Sequence, residues 1–95
     1  LEAIDVAALA FDDGNEAKFA ANKITASEVQ QVLDKWPRFY VNRPERRASH
    51  VMLGPTRGGR ILVVPIEALG VDDLWRPVTA FEATPSQAAR YRSRK

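Results

Sequence analysis

The order of hydrophobic patterns predicts an α+β fold: an antiparallel sheet of three to four strands, two short N-terminal helices and a C-terminal helix. Three observations carry this. Val29, Val32, Leu33 and Trp36 form an apolar stripe at helical spacing behind a cap signal. Between Arg38 and Glu82 the chain is rich in β-branched and aromatic residues, broken by short Gly- and Pro-containing turns. A second cap signal at Thr84 opens a helix-like tail. Consecutive strands joined by short turns pair as antiparallel neighbours, and the helices are expected on one face.

Residues 1–11 alternate loosely and read as a first strand or an irregular segment. Asp12-Asp13-Gly14-Asn15 is a turn whose polar residues suit a helix cap, before a short helix over 16–22. Thr25 and Glu28 stand in capping-box spacing, with Ile24 and Val29 placed for a hydrophobic staple. The second helix then runs to Trp36, a candidate core residue, and Pro37 ends it. Strands are expected at 38–42, 49–53, 60–66 and 74–82. Pro65 cannot donate to a sheet ladder, so a bulge or strand end is expected there. Thr84 and Gln87 repeat the capping-box pattern, with Pro85 at the first helical position, and the last helix is expected to reach about Arg94.

With 95 residues, 45% of them hydrophobic and 27% charged, the chain reads as a single globular domain over 1–95. The absence of cysteine excludes disulfides and thiolate chemistry, and one histidine excludes multi-histidine metal sites. The spacing of Asp12, Asp13 and Glu16 matches no calcium loop, so no metal or cofactor is expected. The longest apolar runs, 6–11 and 61–66, fall far short of the ~20 residues of a membrane helix. No basic start followed by an apolar stretch marks a signal peptide, which makes a cytoplasmic location the expectation. Charge is split along the chain. Residues 1–34 hold seven acids and two bases, whereas 35–95 hold five acids and twelve bases. Such a split points to an anionic partner for the second part, nucleic acid being the usual one.

Several stretches together resemble a family. Phe11 through Lys18, followed by Glu28-Val29-Gln30-Gln31-Val32-Leu33, looks like the opening of BrnT-type toxins. Residues 51–64, with Gly54-Pro55-Thr56 and Gly58-Gly59-Arg60, look like their central hairpin. Trp75-Arg76-Pro77-Val78 through Pro85, with Arg90-Tyr91, looks like their last strand and terminal helix. The resemblance spans residues about 9 to 93. It implies a RelE-like fold and a toxin of a type II toxin–antitoxin pair. Such a toxin is a metal-independent endoribonuclease that cleaves RNA through its own ribose 2′-hydroxyl. The implied partners are RNA, as mRNA free or on the ribosome, and a cognate antitoxin protein. The family's Lys-His-Gly is replaced here by Ala21-Asn22-Lys23-Ile24-Thr25, with Lys23 as the matching lysine, and Phe81 stands where an Arg is usual. These departures support an alternative: a catalytically inactive BrnT-like module that binds RNA or protein.

Internal cleavage of RNA needs a base for the 2′-hydroxyl, cations for the phosphorane and help for the leaving oxygen. Arg60 and Arg76 are the candidate catalytic cations, since a guanidinium grips phosphate oxygens in two places. Strand alternation sets Leu74, Arg76, Val78 and Ala80 opposite Trp75, Thr79 and Phe81. Arg76 suits a structural salt bridge equally well. His50 is the one side chain whose ordinary pKa lies near neutrality, so it is a candidate base or a hydrogen-bonded bystander. Tyr91 matches the family's terminal tyrosine, for stacking a base, steering a proton or packing on the sheet. Lys23, Arg43, Arg46, Arg47 and Arg90 are candidate RNA contacts, with solvated surface charge as the plain reading.

Overall fold

A computed structural model describes residues 4–93, so the ends of the first segment and of the expected last helix lie outside the described residues. The elements are β1 (Ala8–Leu9), α1 (Asp13–Ala21), α2 (Ala26–Asp34), β2 (Arg38–Val41), β3 (His50–Pro55), β4 (Ile61–Ala68), β5 (Leu74–Pro77), β6 (Phe81–Glu82) and α3 (Pro85–Arg92).

Each of the three helices among the described residues begins on a reciprocal cap. The Thr25 hydroxyl accepts from the Glu28 N–H at 3.1 Å, and Glu28 accepts from the Thr25 N–H at 3.0 Å. Thr84 and Gln87 repeat this before α3 at 3.3 and 2.8 Å. α1 starts three residues earlier than expected because Asp12 and Asn15 form a third such box, at 2.8 and 3.0 Å. Asn15 is fully buried and spends its amide on the Ala10 carbonyl at 3.0 Å.

α2 corrects one expectation. It buries Val29 and Val32, but it stops at Asp34. Trp36 takes a left-handed backbone (φ 46°) and stands 91% exposed instead of in the core. Pro37 accounts for the end of the helix, because it disfavours helical geometry in the residue before it, but not for the positive φ.

Among the described residues the sheet has six strands and is mixed. Its order is β1-β5-β4-β3-β2, with β6 also paired to β4. β2, β3, β4 and β5 are antiparallel neighbours as expected, but β1 runs parallel to β5. The expected strand over 74–82 is divided into β5 and β6. Pro77 lies opposite Ile66 and Phe81 opposite Val63, so residues 78–80 face only residues 64 and 65. That is a β-bulge with one extra residue. Pro65 explains its place. The proline has no N–H to offer, and its carbonyl accepts from the Val78 N–H at 2.8 Å. The proline's irregularity therefore falls on the partner strand, while β4 runs through unbroken. The extra residue also breaks the simple alternation: Trp75 and Ala80 both reach the same core.

Helices cover both faces, not one. Met52, Leu62, Val64 and Ile66 pack with Phe19, Ile24, Val29 and Val32 of the α1–α2 side. On the other face Leu53, Ile61 and Val63 pack with Tyr40, Val51, Ala88 and Tyr91. β4 is accordingly apolar at consecutive positions, as a strand buried on both sides must be. α3 has only eight residues, too few to roof the whole second face. Part of that face stays open beside it.

Candidate nucleic-acid interface

The uncovered part of the second face is a groove of about 630 Å³. Tyr40, Val51, Leu53, Val63 and Pro65 line it from the sheet, and Val78, Thr79 and Phe81 come from the bulge and β6. Arg43, Arg46 and Arg47 reach it from the β2–β3 loop, and Arg90 and Gln87 from α3. No lining residue is a carboxylate.

Local hydrogen bonds shape the arginine loop. Asn42 donates its amide to the Ala48 carbonyl at 3.0 Å and accepts from the Arg43 N–H at 2.9 Å. The Arg46 N–H donates to the Arg43 carbonyl at 3.0 Å. These bonds fold the loop on itself and present three guanidinium groups from five consecutive positions. Arg90 lies over the Tyr40 ring at 4.2 Å, a cation–π contact that orients its fork. Arg47 is held by Glu67 through two bonds of 3.1 Å yet stays 67% exposed. Among the described residues no carboxylate pairs with Arg43, Arg46 or Arg90.

The other candidates lie elsewhere. Arg60 bonds Glu28 at 3.0 Å, the Lys23 carbonyl at 3.1 Å and Glu82 at 3.5 Å, tying the start of α2 to β6. Lys23 itself sits in the α1–α2 turn with φ 61° and does not line the groove. Arg76 bonds Asp12 at 2.7 and 3.1 Å and Glu67 at 3.3 Å. The Arg76 guanidinium and the Asn15 N–H pull the Asp12 carboxyl down to about 2, and Asp12 in turn raises Arg76. Both arginines therefore act as struts between elements. His50 shares its face with Met52, opposite the groove; its ring meets Trp75 edge-on at 5.3 Å and its Nδ1 lies 2.8 Å from the Ser49 hydroxyl. Tyr91 neighbours Arg90 on α3, but its hydroxyl donates to the Trp36 carbonyl at 3.1 Å and its ring lies 5.5 Å from the Arg38 guanidinium.

Four of the nine candidates thus meet at one place: Arg43, Arg46, Arg47 and Arg90. The sequence reading missed Tyr40 and Arg38. Their signal was present, since residues two apart on a strand share a face. The apolar floor had no such signal, because it depends on where α3 stops. Among the described residues no group of three His, Cys, Asp or Glu side chains is placed to hold a metal ion. No described helix is long and apolar enough to cross a membrane. The fold is a small α+β fold with helices flanking a mixed sheet. No protein-family model matches the chain, and no curated protein matches it.

Proposed function

We propose that this chain binds RNA along the arginine groove, as a RelE/BrnT-like member of a type II toxin–antitoxin pair. One observation carries the reading: four arginines line a single groove that contains no carboxylate. A guanidinium is always charged and its planar fork matches phosphate oxygens, so such a rim suits a sugar–phosphate backbone. The cognate antitoxin would then cover this surface with an acidic segment.

The test is fluorescence anisotropy of a labelled single-stranded RNA over a salt series, for the parent and an Arg43→Ala/Arg46→Ala/Arg90→Ala variant. The parent is expected to bind with a steep salt dependence. Each lost phosphate contact should lower the slope of log K against log salt by about 0.7. Equal slopes and affinities for parent and variant remove the groove as the site.

A second reading adds cleavage by the RNA's own 2′-hydroxyl. The Arg90–Tyr40 pair favours it, because it sets a cation for the phosphorane beside a phenol inside the groove. Arg60, Arg76, His50 and Tyr91 do not converge there, so the cleavage chemistry is argued from groove residues. Incubation of the purified chain with RNA, followed by detection of 2′,3′-cyclic phosphate ends, decides it. Intact RNA leaves the binding reading alone.

A further inference from the structure

Trp36 has two unusual properties at once. It is an aromatic residue with φ 46°, a backbone region that bulky L-residues rarely occupy, and it leaves 91% of itself in water. Neither core packing nor helix formation explains the strain, since α2 has already ended at Asp34. The backbone is nonetheless firmly held. Its carbonyl accepts the Tyr91 hydroxyl at 3.1 Å. Pro37 next to it packs so closely over Gly54 that an added Cβ there would lie 3.3 Å from Pro37 Cα. The indole therefore stands in solvent on a rigid base.

The same neighbourhood runs back to the groove. Arg90 lies over Tyr40, which lines the groove. One residue further along α3, Tyr91 pairs with Arg38, two residues before Tyr40 on β2. The Tyr91 hydroxyl then reaches Trp36. Aromatic rings and guanidinium groups thus follow one another from the groove to the Trp36 backbone. Lys35 adds a further exposed cation beside it, while the nearby Asp34 carboxylate accepts from Gln30.

We propose that Trp36 is a stacking platform for an unpaired nucleobase at the end of the arginine groove, so that the bound RNA is single-stranded where it crosses β2 and α3. The proposal rests on the RNA reading above. Charge selects the occupant. Lys35 adjoins Trp36 in the chain, and Arg38 and Arg90 lie on the rings that lead from its backbone to the groove, so a base stacked there has cations for its adjoining phosphates. In a duplex the base faces are already stacked on each other, so only an unpaired base can cover the indole.

Intrinsic fluorescence separates the outcomes, because Trp75, the other tryptophan, is buried and bonds the Asp5 carbonyl at 3.0 Å. The full chain is titrated with a short oligoadenylate, with an RNA duplex and with polyglutamate. Trp36→Gly and Trp36→Phe are titrated by anisotropy. Glycine accepts a left-handed backbone, so the glycine variant relieves strain and its melting curve checks the fold. Oligoadenylate is expected to quench the parent, and duplex is not. Trp36→Gly should lose about tenfold in affinity with its salt slope unchanged, and Trp36→Phe should recover most of it. RNA binding without quenching and with parent-like affinity in the glycine variant overturns the platform but leaves the groove. Quenching by polyglutamate and not by RNA assigns the ring to an acidic protein and overturns it too. Absence of RNA binding in every form removes the RNA reading and this inference together.

Discussion

Arg76 places its Nε 2.7 Å from Asp12 and an Nη 3.3 Å from Glu67, which in turn holds Arg47. Its chemistry is that of a phosphate ligand, but its surroundings are those of a structural ion pair. Sequence alone left both open, because the partners Asp12 and Glu67 are remote in the chain. The pairing has a pH signature. The Asp12 carboxyl is depressed from 3.8 to about 2, so the folded state favours its charged form. Its stabilising effect is full above the ordinary carboxylate range and is lost as pH falls through 2. Asp12→Asn keeps a side chain that caps helices equally well but removes the charge. The parent's melting temperature should therefore fall more steeply than the variant's between about pH 4 and pH 2. Parallel curves would show that the Asp12–Arg76 bond adds nothing to the fold. Trp36 shows the opposite limit: its exposure depends on α2 ending at Asp34, which the apolar stripe did not reveal.

The caps were the most legible elements, because each is a contact between residues three apart. Thr25–Glu28 and Thr84–Gln87 form as the spacing requires. Asp12–Asn15 forms as well, though Asn in place of Glu or Gln hid it. Thr25→Ala should cost about 1 kcal/mol, read as a lower urea midpoint with unchanged slope. An unchanged midpoint would mean that Arg60, through Glu28 and the Lys23 carbonyl, holds the start of α2 without the cap. Sheet details were less legible, for a physical reason. Pro65 announces an irregularity, but which strand absorbs it depends on whose carbonyl would have faced the missing donor. The answer, residues 78–80, requires knowing that the last strand pairs with β4 on that edge. The parallel β1–β5 pair was invisible for a similar reason, since two residues at remote positions carry no periodic signal.

For the whole molecule, the excess of bases after residue 34 becomes a groove only because an eight-residue α3 leaves part of the second face uncovered. Charge counting could foresee an anionic partner but not its place. This geometry also decides which variants can test function in a cell. Arg60 and Arg76 each neutralise two carboxylates, so removing both leaves Glu28, Glu82, Asp12 and Glu67 without those cations. Losing several such pairs at once lowers stability along with any activity. Arg43, Arg46 and Arg90 hold no described carboxylate, so Arg43→Ala/Arg46→Ala/Arg90→Ala should melt like the parent. If the groove also cleaves RNA, induced expression in a bacterial host should give growth arrest and RNA fragments with the parent and neither with this variant, at equal soluble protein. Arrest that persists in the groove variant but disappears in Arg60→Ala/Arg76→Ala, with melting unchanged, would move the chemistry to the two struts. Intact RNA from a parent that still binds RNA in vitro would identify a binding module whose groove holds the backbone without cutting it.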